Sequence, residues 1–453
     1  MLSIGQDLSK FVGHGFSATI DSQLSPTLSL KSITAYRSYD TEFDNDDDYS
    51  PLALSLGRSY INFQSWSQEV RLNGSIGEPS LIDYTVGGFY QTQKSVYTTY
   101  QELRYAAPGF PAFTGIDHVP ASTRAAFSQI SGHITHDLTL TGGIRYTNES
   151  KGVTYFRTGP VFASLDGQSR EYSGHSTDYR AALQYQMTPD VMSYLQYSTG
   201  FKGGGNSPRP FDDHQVISFG PERLKSLEAG IKSDLFGNHL RLNLAAFYSR
   251  YDNIQLTVLT CPDIDPASPP LPCPITRNIG NANIPGFELE ATVKPFGGLL
   301  IDTSMSYVGF QYRKDPANLA ALAALGIGPD DRTPYNPKWK ASMGVQYEIP
   351  LGKIGSLAPR VDASYQSAIY TDAVNKDPVG NYPGNRLGGY TLANARLTYR
   401  TPDDLWEVSG EITNLFDKYY FLTAFDLTGA GFGGVSAQPG RPREWVLTLK
   451  RSF

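Results

Sequence analysis

Segment after segment of this chain alternates apolar and polar positions, which demands sheets with two chemically different faces. In NHLRLNLAAFYSRYDNIQL, Leu240, Leu242, Leu244, Ala246 and Tyr248 share one face, opposite Arg241, Asn243, Ala245, Phe247 and Ser249. REWVLTLKRSF repeats the pattern, with Trp445, Leu447, Leu449 and Phe453 opposite Glu444, Thr448, Lys450 and Ser452. About 17 such segments are legible, among them 15–23, 82–104, 120–136, 238–258, 275–296, 404–421 and 438–453. Several outrun the roughly 5 to 6 residues of an ordinary globular strand and reach past the roughly 9 to 11 that a tilted strand needs to cross a bilayer.

The connections decide between a soluble sheet and a spanning one. Short turns fall at 24–25, 137, 188–189, 237–238, 296–298 and 401–403. Between them lie long polar or Gly/Pro-rich stretches, including FDNDDDYSPLALSLGRS, KGGGNSPRPFDDHQVISFGP, TCPDIDPASPPLPCP and DLTGAGFGGVSAQPGRP. Long and short alternate down the chain, the pattern of an all-β, transmembrane antiparallel up-and-down β-barrel with tight turns on one rim and long external loops on the other. Closure has a physical cause: a backbone group left unpaired in lipid costs several kcal/mol. No fixed-length repeat accompanies the pattern, which counts against a propeller or solenoid.

Composition agrees. The chain holds 29 Tyr, 23 Phe, 44 Gly and 30 Pro, a mixture that favours strands and turns over helices. No stretch approaches the 18 or more apolar residues of a spanning helix. A net charge of −6 argues against a nucleic-acid partner. Seven His and 2 Cys scattered along the chain give no multi-ligand metal centre, and no cofactor is expected. The amino terminus lacks the basic region, apolar core and cleavage site of a signal peptide, so a processed chain or a fragment is expected.

At the carboxyl end GEITNLFDKYYF, a Gly-rich loop and QPGRPREWVLTLKRSF resemble the closing strands of TonB-dependent outer-membrane receptors. LTLTGGIRYTNESK, YSTGFKGGGNSPRPF, ERLKSLEAGIKSDLFGNHLRLNLAAFYSRYDNIQL, IGNANIPGFELEATVKP and SITAYRSYDTEF followed by WSQEVRLNG resemble the same family's barrel, in its order. The resemblance implies a barrel of about 22 strands around an amino-terminal plug preceded by a TonB-binding box. Residues 1–453 are therefore expected to be an amino-terminally truncated barrel domain, with about five strands and the plug missing. An odd count of about 17 makes the first and last strands parallel, so the sheet should be gapped there or joined by a parallel seam.

Each conspicuous motif has a bland and a sharp reading. Terminal Phe453 resembles the signal read by the barrel-assembly machinery, although Arg451 stands on the outward face where an apolar residue is more usual; Phe453 also suits an interfacial aromatic. Cys261 and Cys273 bracket a Pro-rich external loop and read as a disulfide rather than a redox pair. Asp44, Asp46, Asp47 and Asp48 read as a solvated loop, lacking calcium-loop spacing. Gly203, Gly204 and Gly205 are not followed by a phosphate-binding Lys-Ser/Thr pair and read as flexibility. DPANLAALAALG reads as a short helix over 315–326. No nucleophile, base and orienting partner occur together, so an enzyme is not expected.

The resemblance implies uptake of a scarce nutrient across the outer membrane of a Gram-negative bacterium: a ferric siderophore first, otherwise cobalamin, haem or oligosaccharide. TonB would act only through a plug absent from this chain. The partners expected are outer-membrane lipid, the assembly machinery and a siderophore-like ligand. Tyr97, Tyr100, Tyr370, Tyr382 and Phe432 are candidates for ligand stacking, or else girdle and loop-core aromatics. The alternatives are a passive porin-like channel and a soluble β-rich binding protein. The first would need an inward loop lined with charge, the second would not need detergent for extraction.

Overall fold

The computed structural model describes residues 8–46, 55–103, 112–159, 162–258, 261, 263–264, 273–380, 382–426 and 435–452. Among these residues seventeen long strands form one antiparallel sheet. The first eight are β1 (Ser9–Ser25), β2 (Leu28–Asp46), β3 (Ser55–Ile76), β4 (Ile82–Leu103), β5 (Phe113–His133), β6 (Leu138–Thr158), β7 (Ser169–Thr188) and β8 (Val191–Lys202). They continue as β9 (Glu222–Leu235), β10 (Leu240–Asp252), β11 (Ala282–Val293), β12 (Leu299–Val308), β13 (Trp339–Tyr347), β14 (Ser356–Gln366), β15 (Tyr390–Arg400), β16 (Trp406–Thr413) and β17 (Glu444–Arg451). Two-residue strands at Gln311–Tyr312 and Ile349–Pro350 extend the sheet locally.

Each long strand pairs with its predecessor and successor in sequence, and connections of alternating length join them. Among the described residues no ladder joins β1 to β17, so the sheet is open at that seam, the gapped outcome. Both edge strands run from the long-connection rim to the short-turn rim. β1 is exposed along nearly its whole length.

Alternation sets the two faces. On β10, Leu244 and Tyr248 are exposed, while Ser249 is 5% exposed and donates to Ser226 Oγ at 2.9 Å across the pair with β9. Arg360 shares the polar inner face with Asp302 and Asp362, its Nη1 donating to Asp302 at 2.8 Å and its Nε to Asp362 at 2.9 Å. Aromatic contacts ring the outer face: Phe16 with Tyr36 (5.7 Å between centroids), Trp66 with Tyr90 (5.9 Å), and Phe287, Tyr307 and Trp339 together. Such girdles mark where a spanning wall meets the interface. Trp445, Leu447 and Leu449 share the outer face of β17, and the Arg451 guanidinium lies 5.1 Å from the Trp406 ring. Phe453 lies outside the described residues.

The main apolar core is not in this wall. It sits at the long-connection rim, where Ile254, Leu256, Val258, Ile275, Ile279, Phe310, Tyr312, Leu322 and Ile327 pack with the cysteine pair. Three expected strands end or divide here. The apolar run 238–258 becomes β10 and a separate strand Gln255–Val258, because Asn253 (φ 56°) turns the backbone out of the wall. The run 275–296 splits likewise into Ile275–Asn278 and β11 at Gly280 (φ 74°), a left-handed position that suits glycine. Run 404–421 stops at Thr413 because Asn414 and Asp417 both take positive φ. The expected helix is present as Pro316–Ala323, with Asp315 accepting from the Asn318 amide at 3.0 Å as its N-cap and Pro at its first turn.

Candidate ligand-binding vestibule

Three long connections build the roof at this rim. Strands Gln255–Val258 and Ile275–Asn278 form a hairpin that rises from β10 and β11, and Cys261 and Cys273 are joined above it as a disulfide with Cα atoms 5.8 Å apart. The helix from the next connection lays Leu322 into the same core. Asn318, 4% exposed, ties the two connections together: its Oδ1 accepts from Asn281 N at 2.7 Å and its Nδ2 donates to Arg313 O at 2.7 Å. Burial raises the Tyr312 phenol above its usual range, with Asp331 adding to the effect.

A different connection, between β8 and β9, folds back onto the inner face of β6. Lys151 Nζ donates to Gly204 O at 2.8 Å, Asn206 Nδ2 to Lys151 O at 2.9 Å, and the buried Tyr155 hydroxyl to Ser207 O. Phe113, Phe162 and Phe211 meet edge-on beside it. The glycine run serves this approach rather than flexibility. A Cβ on Gly203 would overlap the Glu149 carboxylate, and one on Gly204 would overlap Phe219 O, so side chains at either place would push the segment off the wall. Three consecutive glycines were the available signal, and close packing was the reading that sequence missed.

The third connection, between β14 and β15, lays Ala373 into the same core and carries two of the aromatic candidates. Tyr370 donates to Asp377 at 3.1 Å from the hairpin Ile369–Tyr370 and Arg386–Leu387. Tyr382 donates to Asp426, whose carboxylate also holds Lys376 Nζ at 3.1 Å. Asp426 and Lys376 were not visible as site residues in the sequence, since 50 positions separate them. Burial, opposed by the Ala373 amide, holds the nearby Asp372 carboxyl above its usual range.

The other candidates stand apart. Tyr97 sits on β4 opposite Ile61 and Asp117, on the inner face with buried Ser95 and Gln101. Tyr100, three positions on, faces the other way and donates to Glu102 at 2.8 Å. Phe432 lies outside the described residues. Of the acidic run, Asp44 grips Arg58 through both its oxygens; Asp47 and Asp48 lie outside the described residues. Asp212, Asp213 and His214 come together, but the same atoms cap their own turn, with His214 N donating to Asp212 Oδ1 at 2.9 Å.

A two-faced wall carrying a folded roof of connections on one rim is the arrangement of a large outer-membrane β-barrel wall. The chain belongs to the TonB-dependent receptor-like β-barrel family, whose model matches residues 3–415. The pesticin receptor of Yersinia enterocolitica is 22% identical over 359 residues, covering 79% of this chain and 48% of the receptor. The ferrioxamine B receptor of Salmonella typhimurium is 24% identical over 56% of this chain and 32% of its own. In fold, the ferric yersiniabactin uptake receptor FyuA of Yersinia pestis matches with a TM-score of 0.78 at 18% identity, over 98% of this chain and 61% of that one. The chain thus spans about half the length of the pesticin receptor.

Proposed function

We propose that this chain forms the barrel wall and external loops of an outer-membrane receptor that takes up a ferric siderophore, powered through TonB. The observation that carries the reading is the roof: long connections held over their own core and disulfide, bordered by Tyr370, Tyr382 and Lys376. Passive diffusion needs no such assembly, whereas capture of a bulky, scarce ligand needs a shaped, preorganised mouth. A relative named for ferrioxamine B and a fold neighbour titled a ferric yersiniabactin uptake receptor support the ligand class. Tyr97, Tyr100, Tyr370, Tyr382 and Phe432 are proposed to offer ring faces to the ligand, with outer-membrane lipid and the barrel-assembly machinery as further partners. All 453 residues are assigned to the barrel domain, with the plug supplied from outside it.

Titrating the purified chain in detergent with ferrioxamine B, a ferric catecholate and ferric citrate, followed by quenching of aromatic fluorescence, tests this. At least one complex should bind, and Tyr370→Ala with Tyr382→Ala should weaken it about tenfold, about 1.4 kcal/mol. Absence of binding by all three, together with steady ion conductance in planar bilayers, would establish a passive channel instead.

A further inference from the structure

Directly above the outward apolar row Tyr197, Leu227 and Tyr248, the next row of the same face holds Lys225 opposite Arg250. The row above that places Arg223 opposite Asp252. Like charges directly opposite across a sheet destabilise it. Here the available counter-charge is spent elsewhere: Asp252 is taken by Arg313, and Lys225 Nζ reaches it only at 4.0 Å. Among the described residues neither Arg223 nor Arg250 makes an ion pair, and both are exposed. Four cations thus face one carboxylate, on a chain whose net charge is −6.

Height identifies the partner. Lys225 lies ten residues from the turn-side end of β9 at Leu235. At about 3.3 Å per residue and a tilt of about 40°, that is about 25 Å, the height of the apolar band of an outer-membrane wall. The cations therefore sit at the outer headgroup level, on the lipid side. At the matching level of β2 the cations are answered, Lys10 lying opposite Glu42 and Arg58 pairing with Asp44, so charge is balanced there as it is not between β9 and β10. Arginine forks and lysine ammonium groups bind phosphate oxygens well where solvent is partly excluded.

We propose that Arg223, Lys225 and Arg250 form a docking surface for the phosphate groups of outer-leaflet lipid, which bridges the facing cations and orients the roofed half of the wall in the membrane. The proposal rests on the outer-membrane reading and is independent of the imported ligand. The test titrates the purified full chain, in detergent micelles, with phosphorylated lipid A, dephosphorylated lipid A and inorganic phosphate. Phosphorylated lipid A should bind saturably and the other two should not at equal concentration. Lys225→Gln with Arg250→Gln should weaken binding about thirtyfold, at about 1 kcal/mol for each cation near the surface. Lys232→Gln, on the inner face of the same strand, should change it less than about twofold. Raising salt to about 1 M should release lipid from the unmodified protein, a readout that stands even where the double variant fails to fold. Equal binding of the dephosphorylated form, equal response to inorganic phosphate, an unaffected double variant, or salt-insensitive binding would each overturn the proposal. Ferric-complex binding in the separate titration would be unchanged in all these cases.

Discussion

The two halves of the wall reach the outside by different means. Strands β1 to β7 run 17 to 22 residues and are joined at the long-connection rim by comparatively brief connections, whereas β8 to β17 run only 8 to 14 and are joined at that rim by much longer ones. The first half rises as sheet, the second as folded loops. A ladder pairs backbone N–H and C=O groups along its length, so the tall half keeps its height with only small clusters packed on it, around Tyr155 with Leu165 and around Phe113 with Phe211. The loops leave the ladder and hold their shape by burying Leu322, Ile275, Tyr312 and the disulfide. Height built from sheet is set by register; height built from loops is set by side-chain packing, and only the latter can be tuned residue by residue.

The contrast can be broken most severely in the roof. Leu322→Ala should cost about 2 to 5 kcal/mol of roof stability, read as faster proteolytic cutting between residues 309 and 338, with cutting of β2 to β6 unchanged. Equal acceleration in both halves would show that the roof and the tall wall unfold as one unit. Next in size, Leu244→Arg should cost roughly 2 to 4 kcal/mol if the residue meets lipid near the midplane, measured by urea unfolding from vesicles, while Asn243→Arg on the inner face should be tolerated. Similar effects at the two positions would remove the lipid face on which both halves depend.

Opening the Cys261–Cys273 bridge should release about 3 kcal/mol of restraint on a loop of about 13 residues, again confined to the roof. An impermeant maleimide on intact cells should label both cysteines only after reduction. Labelling without reductant would sink the bridge, and labelling only after lysis would put the roof on the wrong side. The smallest effect concerns Asp372. Its folded carboxyl titrates above the unfolded one, so near neutral pH the folded roof bears the penalty of a half-buried charge, a penalty relieved as pH falls through the raised value. Asp372→Asn should therefore slow roof proteolysis at neutral pH, with the advantage fading in acid.

The wall was legible because its determinants are local: a period of two and turns at alternating spacing place the strands without knowledge of what they touch. The amino-terminal end of β1 was read late, since Gly13 and Gly15 interrupt its pattern and only pairing with Tyr39 and Arg37 of β2 makes Ser9 to Gly15 a strand. The roof was far less legible. The strands at 255–258 and 275–278 look like continuations of their neighbours until Asn253 and Gly280 adopt positive φ. Contacts such as Tyr382 with Asp426, 44 positions apart, have no local signature. The glycine run at 203 was visible, but its meaning depended on Glu149 and Tyr172 standing on other strands.

The open seam between β1 and β17 carries a restriction on symmetry. Both margins descend toward the short-turn rim, so a second copy sharing the same membrane orientation would bring a descending strand to a descending strand and could meet either margin only in parallel. An element that closes the sheet by antiparallel pairing must begin and end on ascending strands and hence contribute an odd number of them. Self-association across the membrane plane is thereby disfavoured by direction alone, before any side chain is considered, and the two margins distinguish self from complement.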